Sequence, residues 1–433
     1  MNTTTAQNKN RIVPIIMMIA LFGMIAFVTN LAAPMGLVLK QQFAVSNFLG
    51  LLGNLANFIA YAVMGIPGGM LLQRVGYKKT ALIAVAVGFV GVFVQFLSGH
   101  SPESLAFVVY LLGAFIAGFS MCLLNIVVNP MLNTLGGGGN KGNQLIQIGG
   151  SFNSVMATFT PAFVGILVGE AVNARISDVF PVMYIAMGVF ALVFFVLLAV
   201  NIPEPHVTEF KESMGSLMKG ALTFKHFVFG AIAIFIYVGI EVGNPYIMLY
   251  WLEEIPTVGA TIAGFVTGTY WFLMLIGRLV GASLGSKISS KAMLSTLSLV
   301  GIVLVLAAIF SPTTTQVSLP VLQRSLAGAL SFGLAEVPIN ALFFVLVGLC
   351  TSIMWGSIFN LAVEGLGKYT PAASGIFMTM VCGGGILPAI QGGLADSVGY
   401  ISSYWLIIAA LAYLLFYGFV GSKVTKRASD NGL

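Results

Sequence analysis

Charge is what this sequence has least of. Only 7% of its 433 residues are Asp, Glu, Lys or Arg, while 58% are hydrophobic. A soluble domain is about a quarter charged. The balance therefore excludes a globular enzyme with a single anchor and indicates a polytopic membrane protein. Cysteine is scarce too: Cys122, Cys350 and Cys382 all lie within apolar runs. They form no disulfide framework and no metal-ligand spacing. The three histidines, His100, His206 and His226, fall in loops or at a span edge, which argues against a buried histidine proton relay. The net charge of +6 is dispersed, so nucleic acid is not an expected partner. The glycine run 136–139 lacks a Gly-Lys-Ser/Thr ending, which rules out a phosphate loop. No nucleophile, base and oxyanion set can be assembled, so no enzyme, metal or cofactor is expected.

What is present is a series of long apolar runs. Twelve can be counted, at about 12–39, 48–72, 80–99, 104–132, 143–171, 179–201, 227–252, 257–285, 291–310, 339–366, 372–395 and 401–421. Each is long enough to span a bilayer as a helix. The polar N-terminus runs straight into the first of them without a small-residue cleavage site, so it reads as a first helix rather than a signal peptide. Of 19 Lys and Arg, 15 fall in segments that alternate along the chain; Lys40, Arg175, Arg278 and Arg324 do not. By the positive-inside rule the larger set is cytoplasmic, and both termini lie inside. The expected location is the cytoplasmic (inner) membrane, and the expected state a monomer in the lipid bilayer.

The stretch 236–256 stands out. Glu241 lies midway along the apolar run from Phe227 to Leu252, and Asn244 and Pro245 follow within a turn. A carboxylate at that depth costs a few kcal/mol in lipid and should face protein or water. Pro245 removes a backbone donor. A polar, broken helix at membrane depth is one way transporters build a site.

The chain also repeats weakly about its middle. Gly68-Gly69-Met70-Leu71-Leu72-Gln73-Arg74 followed by Lys78 resembles the small-residue run Gly281 to Gly285 followed by Lys287 and Lys291. Leu135 with Gly149-Gly150 resembles Leu366-Gly367 with Gly383-Gly384-Gly385. This implies an all-α membrane protein of twelve transmembrane helices in two pseudo-symmetric six-helix halves, the major facilitator arrangement. The halves are expected at 1–201 and 227–433, joined by a cytoplasmic hinge at 202–226 with a short amphipathic helix near 208–222. Region 311–338 interrupts the symmetry. It reads as a longer outside loop with a partly embedded apolar segment, the alternative being a cap over the cavity mouth.

Several motifs give the chain a resemblance to the fucose–galactose–glucose:proton symporter family. They are Ile66-Pro67-Gly68-Gly69-Met70-Leu71, Val128-Asn129-Pro130, Ser151-Phe152-Asn153-Ser154, Tyr237-Val238-Gly239 with Glu253-Glu254-Ile255-Pro256, Gly277-Arg278, Ile358-Phe359, and Met378-Thr379 with Gly383-Gly384-Gly385-Ile386. The resemblance implies a sugar carrier that imports a monosaccharide such as fucose, glucose or galactose with a proton. Two departures bear on that coupling. The family's Asn-Leu-Asn-Asp reads Asn30-Leu31-Ala32-Ala33 here, and its glutamate four residues before Asn-Pro is Asn125. Both expected coupling acids are missing. A third position, the family's tyrosine in the tenth span, is Trp355.

Glu241 is then the deepest acid left. It is a candidate to couple a proton, to bind substrate, or to shape the site alone, and an uncoupled uniporter stays open. Sugar sites use amides and carboxylates for hydroxyl pairs and an aromatic face for the ring. The candidates are Asn30, Asn57, Asn125, Asn129 and Asn153 before the hinge, and Glu241, Asn244, Tyr270, Trp271, Trp355 and Asn360 after it. Arg278 and Glu364 are expected to face each other near the cytoplasmic end and to help close it in the outward-open state. The rivals are a drug or metabolite exporter, which would want a less amide-rich cavity, and a membrane sensor that does not transport.

Overall fold

A helix rises 1.5 Å per residue, so about 20 apolar residues cross the hydrocarbon core. In the computed structural model, which describes residues 3–136, 139–168, 175–202, 204, 214–284, 288–324 and 330–425, eleven stretches of 21 to 32 residues meet that length and apolarity. The helices before residue 202 are α1 (Thr3–Asn30), α2 (Ala32–Phe43), the short α3 (Asn47–Gly50), α4 (Leu52–Val75), α5 (Tyr77–Ser98), α6 (Glu103–Leu135), α7 (Gly139–Val168) and α8 (Phe180–Ala199). The 30-residue α7 stands where the fifth of the twelve expected spans lies. After residue 202 come α9 (Met214–Ala221), α10 (Lys225–Glu253), α11 (Gly259–Leu284), α12 (Ser290–Phe310), strands β1 (Gln316–Arg324) and β2 (Leu330–Pro338), then α13 (Ile339–Thr351), α14 (Met354–Val363), α15 (Thr370–Met380), α16 (Gly383–Val398), α17 (Tyr400–Ser403) and α18 (Trp405–Phe416). Of the surface helix expected near 208–222, α9 is the described part; residues 208–213 lie outside the described residues.

The two sets of helices meet along two seams: α7 packs against α11, and α4 against α15 and α16. Glycine makes the second seam close. Within the second set, a side chain at Gly383 would run into the Phe235 carbonyl of α10. One at Gly385 would come within 2.7 Å of Phe58 and 2.9 Å of the Leu55 backbone, both on α4. Pro388 has no N–H for the Gly384 carbonyl four residues back. Asn54 of α4 supplies the missing donor at 2.8 Å, across the seam.

Two expectations fail here. The helix does not break at Pro245: α10 runs unbroken from Lys225 to Glu253. Breaks occur instead between α1 and α2, between α13 and α14, and between α15 and α16. The proline still matters locally, because it leaves the Glu241 carbonyl without its helical donor.

The second failure is the expected loop at 311–338, which is a β-hairpin. Its strands pair antiparallel from Gln316 with Pro338 to Arg324 with Leu330. Leu319, Val321, Ala335 and Val337 are buried and alternate along the strands, as one packed face requires. The apolar residues of this region follow a period of two, and their total apolarity hid that alternation.

Candidate functional site

Glu241 sits near the middle of α10, and its carboxylate meets the Arg278 guanidinium of α11 at 3.4 Å. Both side chains are largely buried, 13% and 14% exposed. Arg278 also donates to the Gly150 carbonyl at 2.7 Å and to Ser154 Oγ at 2.8 Å, both on α7. The guanidinium thus ties α10 and α11 to a helix of the first set. Its five donors in a fixed fork suit this branching. Tyr237, one turn back on α10, is fully buried. Its ring lies edge-on to Trp355 at 6.3 Å between centroids, and Trp355 packs in turn on Phe377 at 5.9 Å.

The pairing of Arg278 with Glu364, expected for the outward-open state, is not the arrangement of the conformation described. Arg278 reaches back along α11 to Glu241 instead. Glu364 is exposed, and its backbone carbonyl meets His226 Nε2 at 2.8 Å. The guanidinium carries its charge one helical turn or more from its own Cα, so a position near a helix end does not keep the charge there.

The amide candidates divide. Asn125 donates to Tyr61 Oη and to the Met121 carbonyl, both at 3.1 Å. Asn129 donates to the Asn125 carbonyl at 3.0 Å, and Asn153 to the Phe22 carbonyl at 2.9 Å. All three are half-buried. Asn30 and Asn57 are buried, each with an Oδ1 that has no hydrogen-bond partner. Trp271 is buried with its Nε1 likewise unmet. Such atoms retain capacity for a ligand or water. Asn244 Oδ1 is unmet in the same way, and Asn244 and Tyr270 also tie helices together. Asn244 donates to the Phe344 carbonyl at 2.9 Å and its own carbonyl accepts from Tyr404 at 2.8 Å, while Tyr270 Oη is 3.0 Å from Thr351 Oγ1. Asn360 is exposed, apart from the Glu241 group.

Sequence reasoning missed a second cluster, at the Lys40 end of the bundle. Lys40 Nζ lies 2.6 Å from Glu254 Oε1 and 3.0 Å from Tyr400 Oη. Tyr400 Oη is itself 2.6 Å from Glu254 Oε1 and 3.0 Å from Asn47 Oδ1. Gln41 donates to Glu253 at 3.0 Å. Asp396 accepts from the backbone N–H groups of Asn47 and Phe48 at the start of α3, at 2.9 and 3.0 Å. Every one of these bonds joins a residue before 202 to one after it, except the bond between Tyr400 and Glu254. Beneath them Tyr246 donates to the Thr29 carbonyl at 3.0 Å, and the Tyr250 hydroxyl fits against Gly36 and Gly50. The sequence did carry a signal: Lys40 was one of four basic residues outside the cytoplasmic set.

The helix order, the two seams and the polar centre can be compared with known proteins. The family model of the Major Facilitator Superfamily matches residues 15–386. This chain belongs to the Major Facilitator Superfamily. It is therefore a multi-pass membrane transporter and not an enzyme. This major facilitator is 29% identical over 436 residues to a glucose/galactose transporter of Brucella abortus, covering 98% of this chain and 97% of the relative. It is 24% identical over 439 residues to the L-fucose-proton symporter of Escherichia coli, covering 95% and 93%. Among solved structures, the E. coli fucose:proton symporter superposes with a TM-score of 0.70 at 19% identity, over 96% of this chain and 100% of that one. The expected fold is therefore the one observed, with the hairpin added to it.

Proposed function

We propose that this major facilitator carries a monosaccharide, such as glucose, galactose or fucose, across the cytoplasmic membrane by alternating access, as proton-linked import. The observation that carries the proposal is the buried Arg278 bridge between Glu241 and α7. Ionised Glu241 holds the guanidinium by charge. A proton on Glu241 removes that charge and leaves a weaker neutral contact, so Arg278 can release α7 or take up a substrate hydroxyl. Protonation and the contact between the two helix sets are then one event, which is what coupling requires. Tyr237, Trp355, Asn125, Asn57 and Asn30 supply the aromatic face and amide groups a sugar needs. The halves 1–201 and 227–433 rock about 202–226, with both termini in the cytoplasm. In this topology the Lys40–Glu254–Tyr400 cluster lies outside and closes that side, so the conformation described is closed to the exterior.

The names of the relatives support the substrate class. The absence of acids at Ala33 and Asn125 favours a second reading, a uniporter in which the Glu241–Arg278 pair binds sugar with no proton moved. Uptake of labelled sugars into proteoliposomes with and without a pH gradient decides between them. The expected result is gradient-driven accumulation by the wild type and only downhill equilibration by Glu241→Gln. Equal accumulation by the mutant would remove Glu241 from coupling. Wild-type uptake indifferent to the gradient would establish the uniporter.

A further inference from the structure

A cavity of about 470 Å³ lies away from the polar centre, between α7, α11, α13 and the hairpin. Its walls include Val155 and Phe159 of α7, Phe265, Phe272 and Leu273 of α11, Leu342 and Val345 of α13, and Leu319 and Phe332 of the strands. Thr158 and Thr269 also line it, but their hydroxyls are committed to the Ser154 and Phe265 carbonyls of their own helices. Among the described residues the cavity therefore offers no free polar group. A sugar would lose its hydroxyl hydrogen bonds there, and water would find too few partners to stay.

The surroundings of the cavity decide what fills it. Phe159 and Phe332 line it and are themselves exposed, Phe332 by 73%, so the mouth is apolar and faces the flank of a membrane-spanning bundle. The outward face of the hairpin grades along its length. Next to the ends of α12 and α13 it carries the hydrogen-bonded Ser318–Glu336 pair, then Pro320 opposite Leu334, then Phe332. A face polar at one end and apolar at the other matches the step from headgroup to hydrocarbon. Phe332 reaches Phe272 at 6.3 Å between ring centroids, thirteen residues along α11 from Gly259, so the cavity lies well on the hydrocarbon side of Glu336.

We propose that this cavity is a binding site for the acyl chain of a bilayer phospholipid, with the headgroup at the level of Ser318 and Glu336 and the tail between α7 and α13. Because α7 belongs to one helix set and α11, α13 and the hairpin to the other, the chain seats on both at once. Its occupancy therefore favours the arrangement described here over one in which α7 and α11 part.

The test uses the full chain in phosphatidylethanolamine–phosphatidylglycerol vesicles containing a trace of phosphatidylcholine with a diazirine near the end of one acyl chain. After irradiation, adducts are mapped by peptide mass spectrometry. Phe265, Val345 and Leu319 are buried and can be reached only from inside the cavity. The expected result is labelling of these residues at least equal to that of Leu192 and Phe195, which α8 exposes on its outer face. Thr269→Trp, which fills the cavity, should reduce the cavity adducts at least five-fold and leave the α8 adducts unchanged. Labelling of α8 without labelling of the cavity residues would overturn the proposal. So would cavity labelling unaffected by Thr269→Trp or by Leu346→Trp, with the thermal transition of each variant showing that it folds. The experiment needs no sugar, so its outcome is independent of the transport reading.

Discussion

Two ion pairs among the described residues make different use of the same chemistry. Lys40 and Glu254 meet at 2.6 Å, but Glu254 is half in water, 49% exposed. Arg278 and Glu241 meet at 3.4 Å, and neither is more than 14% exposed. The shorter pair is the weaker one in consequence. Lys40 is as buried as Arg278, 14% exposed, but a pair with one member half in water is screened and contributes roughly 0–1 kcal/mol. A buried pair is costly to break on one side only, because the remaining charge has no water to turn to. On the transport reading proposed above, the Lys40 cluster can open and close with small energies, as a gate must, while the central pair resists anything short of neutralising its own charges.

Four substitutions separate these roles, in falling order of effect. Arg278→Met leaves Glu241 buried without a counter-charge, a loss of about 3–5 kcal/mol. It should lower the thermal transition of the purified protein most and abolish uptake. The double variant with Glu241→Gln should recover the transition but not the uptake. Asn54→Ala leaves the Gly384 carbonyl without a donor and should cost about 1–3 kcal/mol. Adding Pro388→Ala returns the backbone N–H, so most of that loss should disappear in thermal melts; no recovery would mean that Asn54 acts otherwise.

Lys40→Met should shift the closed-to-open balance by up to about five-fold, the effect of roughly 1 kcal/mol. Its measure is the rate at which an impermeant thiol reagent reaches Tyr250→Cys from outside. High salt should mimic the variant in the wild type, and the charge swap Lys40→Glu with Glu254→Lys should restore the slow rate. Asn360→Ala should leave KM and the thermal transition essentially unchanged, since its side chain is exposed and apart from the Glu241 group.

Much of the fold was legible because membrane crossing imposes a length and an apolarity that any reader of the chain can count. Glu241 was legible for the same reason: a lone acid in such a run is conspicuous. Its partner was not. Arg278 lies 37 residues away in sequence, and its reach along the helix hides where the charge ends up. Asn244 and Tyr270 tie helices together, and in sequence an amide or phenol with that task looks like one that faces a ligand. Asn54 was overlooked because its task is set by a proline 334 positions later. The hairpin escaped because strand periodicity is faint within an already apolar segment.

The three glycines that open α16 have one more consequence. Gly383 lies against α10 and Gly385 against α4, so one turn of helix is planed smooth on two sides. In the proposed rocking of the two halves it moves with α10 and slides or separates from α4 when the exterior opens. The two positions therefore sense different things. Added bulk at Gly383 would strain every conformation, because its neighbour travels with it. Added bulk at Gly385 would strain only the conformation in which α4 is close. A single methyl group at Gly385 thus acts as a selector of state, holding the carrier open to the outside without touching charge, substrate or hinge.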